Sequence, residues 1–297
     1  MSLISSAIRV AECRPLPDPM TRMGIEFLVG RTRSKLAAAS DREEGDFARA
    51  MAEYPIAEHA NAANAQHYEL PPEFFALTVG PRRKYSCCLY STGHESLADA
   101  ERLALEETVA HAGIADGQSL LELGCGWGSL TLFMAERFPR TNITAVSNST
   151  PQRLHIEAEA VARGLGNIRV VTADMNAFEP DSTYDRVVSV EMFEHMSNWR
   201  SLLARIKTWL VPQQGRVFVH VFSHRRSPYR FDHNNDADWI GQHFFTGGIM
   251  PSHGLIGIFR TALPLNKTGA GTAFIIRKPR STGWLASMQT ARTLIAF

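Results

Sequence analysis

From Asp99 to Phe222, short apolar runs alternate with amphipathic stretches of ten or more residues. Ser119–Leu123, Asn142–Ser147, Ile168–Thr172, Arg186–Val190 and Arg216–Phe222 have the length of strands. Between them, Leu97–Gly113, Ser129–Phe138, Pro151–Arg163 and Trp199–Leu210 carry helical spacing. Gly113 reads as a helix stop and Pro151 as a helix opening. Strands alternating with helices of this length predict crossover units, hence an α/β fold with a mostly parallel sheet covered on both faces. In such sheets ligands bind beyond the carboxyl ends of the strands.

The flanks read differently. Three prolines, Pro15, Pro17 and Pro19, interrupt the start. Met20–Leu36 then has mostly helical spacing of Met20, Met23, Ile25, Phe27, Leu28 and Leu36, with arginines between them. A basic amphipathic helix can lie on a membrane surface, but packing on the main domain is the favoured reading. Asp41–Ala65 is alanine-rich and expected to be helical, and His67–Leu77 pairs a Pro-Pro break with a short aromatic helix. After Phe222 the pattern dissolves, and Thr272–Ile276 is the one clear strand candidate of the last stretch. The chain therefore divides into a helical N-terminal extension and cap (1–96), a core (97–222), and a substrate-side insertion with an atypical tail (223–297).

Composition narrows the classes. With 297 residues and 44% of them apolar, the chain can bury one sizeable core with an appended lobe. A net charge of +1 without a basic stripe argues against a nucleic-acid partner. Cys13, Cys87, Cys88 and Cys125 form neither a disulfide framework nor a zinc motif, which fits a reducing, cytoplasmic setting. No apolar run is long enough to span a membrane, and the start lacks a signal-peptide pattern.

Gly124, Gly126 and Gly128 form GxGxG between a strand and a helix. Glycines there permit a tight turn and a close backbone approach, and the following helix start offers N–H groups to a polar ligand. A dinucleotide fingerprint needs GxGxxG, but its third glycine position is Ser129. The acidic residue expected at the end of the second strand is replaced by Asn148, which can still accept from ribose. A ligand without a pyrophosphate fits better. Glu122, inside the first strand, either acts structurally or orders the loop and meets a ligand ammonium. Asp174, after the third strand, can accept from an adenine amino group with Met175 against the ring, or serve as a turn residue. Val190 closes the fourth strand, where an adenine face can rest.

Just past that strand, Glu191–His195 reads EMFEH. If a helical turn forms, Glu191, Glu194 and His195 converge, and a carboxylate beside a histidine can hold a cation or take its proton. The bland reading is a capped helix start. The order is not HExxH, so no metal is expected. His220 sits in the apolar fifth strand, where core and site roles are both open. Tyr85 and Ser86 lie on a segment able to fold over a ligand. Cys87 and Cys88 have no local activating base and are expected to line a cavity rather than act as nucleophiles.

HYELPPEFF (67–75), KYSCCLY (84–90), DGQSLLELGCGWGSL (116–130), AVSNSTPQ (145–152), YDRVVSVEMFEHMSNW (184–199), FVHVFSH (218–224) and DWIGQHFFTGGIMPS (238–252) together carry a resemblance. The chain resembles the family of cyclopropane-fatty-acid synthases and coclaurine-type N-methyltransferases. That resemblance implies a Rossmann-like class I methyltransferase fold and the cofactor S-adenosylmethionine, with S-adenosylhomocysteine as product. It implies cofactor contacts at Tyr85, Ser86, Gly124, Gly126, Asn148, Gln152, Asp174, Met175 and Val190. In the N-methyltransferase branch, the amine site maps to Glu191, Glu194 and His195. In the synthase branch a bicarbonate ion serves as base, and its holders map to Cys87 or Cys88, Glu194 and His220.

KYSCC, SNS, EMFEH and FFTGGIMPS resemble the N-methyltransferase branch, so a small amine is the expected acceptor. Methylene transfer to an unsaturated lipid acyl chain, with peripheral membrane contact, is the alternative. The tail departs from the family. The Asn-Gly-x-His-Tyr phrase is replaced within NKTGAGTAFIIRKPRSTGWLASM (266–288), Phe274 is the nearest aromatic, and only Trp284–Met288 resembles the expected helix. The C-terminal sheet edge is therefore expected to be atypical or incomplete. That leaves open a degenerate cofactor-binding protein, and an exposed edge favours homodimer pairing.

Overall fold

The computed structural model describes residues 3–14, 16–38, 42–58, 72–259, 267–272 and 291–296. The N-terminal part contains α1 (Leu3–Cys13), α2 (Asp18–Ala37), α3 (Glu43–Ala50) and α4 (Pro72–Thr78). The core runs α5 (Leu97–Ala112), β1 (Ser119–Leu123), α6 (Ser129–Arg137), β2 (Asn142–Ser147), α7 (Thr150–Ala162), β3 (Ile168–Thr172), β4 (Arg186–Val190), α8 (Trp199–Trp209) and β5 (Arg216–Phe222). Beyond it come β6 (Tyr229–Arg230), α9 (Trp239–His243), β7 (Ile249–Met250), β8 (Lys267–Thr272) and β9 (Ala291–Ala296).

Among the described residues the main sheet has seven strands in the order β3-β2-β1-β4-β5-β9-β8. The pairs β1–β2, β1–β4, β2–β3 and β4–β5 are parallel. The chain starts at the centre, moves outward to β3, then crosses back to β4. This reversal between β1 and β4 opens a crevice at their carboxyl ends.

Alternation along the strands sorts the core into two layers. Leu121, Leu123, Val187, Val217, Val219 and Val221 face one layer with Trp199, Leu202, Leu203 and Ile206 of α8. Leu120, Val188 and Phe218 face the other, with Leu105 and Val109 of α5 and Phe133 and Met134 of α6. Both faces are apolar because helices cover both, which is why these strands read as continuous apolar runs. The helix ends follow the expected chemistry. Ser96 accepts the Asp99 N–H at 3.1 Å, and Gly113 closes α5 at φ 60°.

Several expectations change. The helix expected over 41–65 stops at Ala50. A 3₁₀ turn over Met51–Glu53 follows, and Tyr54 before Pro55 is extended. A residue preceding proline is pushed out of the α region. Residues 59–65, and 67–71 of the aromatic motif, lie outside the described residues. Ala48, Met51, Ile56 and Ala57 are buried in the main apolar layer, so this segment is part of the core's packing. Asn176 holds it by taking the Ala57 N–H at 3.1 Å and donating to the Ala57 carbonyl at 2.9 Å.

The helix expected over 20–36 forms, but the favoured packing on the main domain does not. No residue of α2 is buried, and Met23 and Phe27 are 66% and 57% exposed. At the other end, two strands fill the edge where one candidate was expected. β9 pairs antiparallel with β5, and β8 pairs antiparallel with β9. The edge is thus not incomplete in its backbone pairing, although KTGAGT is an unusual strand composition. Most of the strand candidate 272–276, Phe274 and the 284–288 segment lie outside the described residues.

Candidate active site

The glycine loop closes the carboxyl end of β1. Gly124, Gly126 and Gly128 have φ of 76°, 53° and 81°. Gly124 and Cys125 both donate to the Val146 carbonyl at 3.0 Å, which ties the loop to β2. A Cβ on Gly124 would meet Met192 Cγ at 2.6 Å, and one on Gly128 would meet Ile156 Cγ1 at 2.6 Å. A Cβ on Gly126 would meet nothing within 4 Å among the described residues. Two of the glycines therefore serve packing, and Gly126 faces open space.

Glu122 is buried behind this loop and accepts from the Thr131 hydroxyl at 2.5 Å. Burial pushes its carboxyl up to about 7, against the opposing pull of the Thr131 hydrogen bond and the Lys84 charge. Burial, reinforced by Glu122, also pushes the Cys125 thiol up. Lys84 belongs to the segment that carries the next site residues. Glu101 of α5 anchors that segment by accepting the N–H groups of Arg82 and Lys84, each at 3.0 Å. Tyr85 follows, exposed, with its ring 6.1 Å from Phe75. The half-buried Ser86 places Oγ 3.2 Å from Cys87 Sγ.

The remaining cofactor candidates ring the same crevice. Asn148 is half-buried after β2. Gln152, at the start of α7, accepts from Ser147 Oγ at 2.6 Å, while its Nε2 is buried without a hydrogen-bond partner among the described residues. Asp174 is exposed after β3, and its Oδ1 takes the Asn176 N–H at 2.8 Å and Asn176 Nδ2 at 3.0 Å. It is thus a turn residue with its second oxygen not used in that turn. Met175 is buried in the main apolar layer. Val190 is half-buried at the end of β4 and packs on the opposite layer.

The acceptor-side residues are arranged differently from a single helical turn. A 3₁₀ turn covers only Phe193–His195, and Glu191 precedes it at φ 54°. Glu191 therefore lies off the turn that carries the other two. Its N–H donates to the His220 carbonyl at 2.8 Å, and its Oε1 stands 3.8 Å from His220 Nε2. His220, although buried, thus faces the Glu191 carboxylate. Glu194 is 2% exposed. The His195 ring lies 5.1 Å from Phe245, tilted by 30°. Phe245 stacks on Phe231 at 4.9 Å and meets Phe222 and Phe244 edge-on.

Three features were not legible from spacing. One is the aromatic wall of Phe222, Phe231, Phe244 and Phe245, whose only local trace was the paired phenylalanines of the 238–252 motif. Another is Lys84 facing Glu122. The third is Cys87, which lies with Glu191 and His220 so that one donor atom from each falls within 4.8 Å of the others.

The site can hold a nucleoside ligand on one side and a cation on the other. The open Cβ position at Gly126, the unpartnered Gln152 Nε2 and the polar Asn148 and Asp174 fit S-adenosylmethionine. Carboxylates beside aromatic faces suit an organic cation.

The family described as mycolic acid cyclopropane synthetase matches residues 57–262. The chain is 33% identical over 254 residues to an (S)-coclaurine N-methyltransferase of Thalictrum flavum subsp. glaucum, covering 84% of this chain and 70% of that one. It is 33% identical to an (S)-tetrahydroprotoberberine N-methyltransferase of Eschscholzia californica, covering 69% of this chain and 58% of that one. A crystal structure of coclaurine N-methyltransferase bound to N-methylheliamine and SAH superposes with a TM-score of 0.84 at 30% identity, over 91% of this chain and 80% of that one. On this agreement of sequence and overall structure, the chain belongs to the mycolic acid cyclopropane synthetase family, within the class I methyltransferase fold.

Proposed function

We propose that the protein is an S-adenosylmethionine-dependent methyltransferase acting on the nitrogen of a small amine. The observation that carries this reading is the approach of Glu191 to His220, and of His195 to a phenylalanine wall, beyond β4 and β5. The similarity to plant N-methyltransferases supports the same acceptor class.

When bound, S-adenosylmethionine supplies the methyl group as an electrophile. Tyr85, Ser86, Gly124, Gly126, Asn148, Gln152, Asp174, Met175 and Val190 would hold that cofactor. Glu122 and Lys84 set the charge beneath the loop. On the acceptor side, the phenylalanine wall excludes water and packs the amine's apolar body. Glu194 and His195 orient the nitrogen. The Glu191–His220 pair accepts the proton released as the nitrogen is alkylated. Most of the acceleration comes from alignment and fixed charge rather than from covalent chemistry.

The test is incubation with methyl-labelled cofactor and a panel of secondary and tertiary amines, with mass analysis of the product. Glu194→Gln and His195→Ala are expected to lower turnover roughly 100-fold, the scale of a misplaced reacting group, with unchanged cofactor affinity by calorimetry. Methylation by either variant at the parent rate refutes the acceptor-site assignment.

One observation favours a second reading. Cys87 and His220, two of the residues the synthase branch assigns to bicarbonate, lie together. Methylene transfer to an unsaturated acyl chain would show bicarbonate-dependent turnover on lipid vesicles and none on amines.

A further inference from the structure

Cys87, Glu191 and His220 come from three places far apart in the chain: the segment before α5, the loop after β4 and the strand β5. The fold nevertheless brings a thiol sulfur, a carboxylate oxygen and an imidazole nitrogen within 4.8 Å of one another. The Glu191 and His220 side chains are only 16% and 11% exposed. Glu191 Oε1 is buried and accepts no hydrogen bond among the described residues. Two of the three residues stand in the left-handed region, Cys87 at φ 65° and Glu191 at φ 54°. Non-glycine residues rarely stand there and persist only where the surrounding structure holds them. A relaxed backbone at either position would turn its side chain away from the others.

We infer that Cys87, Glu191 and His220 form a binding site for a zinc-class divalent cation. The donor set of one sulfur, one nitrogen and one oxygen matches the ligands zinc takes. A tetrahedral ion at ~2.0–2.3 Å from each donor places the donors roughly 3.3–3.7 Å apart. The Glu191 Oε1 and His220 Nε2 atoms are already 3.8 Å apart. The remaining approach, about 1 Å at Cys87, is within a side-chain torsion. Binding releases the thiol proton to solvent as the sulfur–metal bond forms. Three protein ligands leave the fourth position open.

The ion takes two of the groups assigned above to the acceptor's proton, so it opposes methyl transfer. That consequence rests on the proposed function; the binding does not. The metal site is therefore read by spectroscopy without any substrate. Cobalt(II) is titrated into a Cys13→Ser/Cys88→Ser protein, which removes the exposed thiol and the neighbouring one. The expected result is one equivalent bound, with an intense near-ultraviolet thiolate-to-cobalt band that zinc displaces.

Cys87→Ser in that background abolishes the band. Glu191→Gln weakens cobalt and zinc binding by at least the roughly 10–100-fold that even an outer-shell partner is worth. Unchanged binding of S-adenosylhomocysteine shows that each variant is folded. Absence of the band in the background protein, or its survival in Cys87→Ser, overturns the site. Zinc sensitivity of methylation is then scored separately. An active parent unaffected by saturating zinc refutes the opposition to transfer while leaving the metal site in place.

Discussion

Glu122→Gln isolates the cost of keeping a carboxyl behind the glycine loop. In the folded protein the group titrates at about 7, against 4.5 as its ordinary value, and burial is the main cause. Below about pH 4.5 the carboxyl is protonated folded and unfolded, so it costs nothing. Between 4.5 and 7 the unfolded chain loses the proton while the folded one keeps it, so stability falls as pH rises. Above 7 both forms are ionised and the loss levels off. At about 1.4 kcal/mol per unit, the full penalty is about 3 kcal/mol.

Glutamine retains an oxygen for the Thr131 hydroxyl, which donates to Glu122 at 2.5 Å, and does not titrate. Urea unfolding of parent and variant at about pH 5 and about pH 8 checks this. The variant is expected to gain about 2–3 kcal/mol on the parent between the two conditions. A gap that stays constant with pH would refute a carboxyl shifted by burial. The same titration bears on the proposed function. A cationic cofactor over Glu122 favours its ionised form, so cofactor affinity should rise through about pH 7 in the parent and stay flat in Glu122→Gln.

Gly128→Ala puts a Cβ at φ 81° and 2.6 Å from Ile156 Cγ1. It should destabilise by roughly 2–4 kcal/mol in thermal or urea unfolding, from left-handed strain plus overpacking, and Ile156→Val should recover part of that. Gly126→Ala meets nothing within 4 Å, so stability should fall by only about 1 kcal/mol from its backbone, while calorimetric cofactor affinity drops by more. Equal effects on both readouts would deny Gly126 a ligand role. Arg230 donates to Glu58 Oε2 at 2.8 Å and lies 3.5 Å over the Tyr54 ring. Arg230→Ala should cost roughly 2 kcal/mol and speed proteolysis within 42–58, with Arg230→Lys in between; an unchanged cleavage rate would remove the pair from the docking of that segment.

What the sequence made legible follows from how local each signal is. The bounds of β1 through β5 agree with the apolar runs, and α5 to α8 agree within a residue at either end. Those runs are bounded by residues such as Gly113 and Pro151, whose conformational limits act on their own neighbours. The mostly parallel sheet followed from the crossover rule, whereas its strand order, β3-β2-β1-β4-β5-β9-β8, came only from the structure. The N-terminal helices show the opposite case. The 20–36 pattern predicts a helix, and a helix forms. Yet whether its Met23 and Phe27 face a partner depends on surfaces elsewhere in the molecule, and here they face solvent.

The acceptor side marks the same boundary more sharply. Periodicity treats EMFEH as a helical turn and sends Glu191 toward Glu194 and His195. The geometry that overrules it is a single torsion, the positive φ of Glu191, which aims the carboxylate at β5 instead. No apolar pattern encodes that torsion, because it is held from outside by the His220 carbonyl on the neighbouring strand. Cys87, also at positive φ, reaches the same point from the opposite side. The two glutamates of EMFEH are therefore placed differently. Glu194 is on the turn with His195, whereas Glu191 belongs with His220 and Cys87. This division predicts that losses from Glu194→Gln and His195→Ala are non-additive with each other, and that either adds to the loss from His220→Gln. Additive losses within the EMFEH pair, with coupling of Glu194 to His220 instead, would return the site to one undivided cluster.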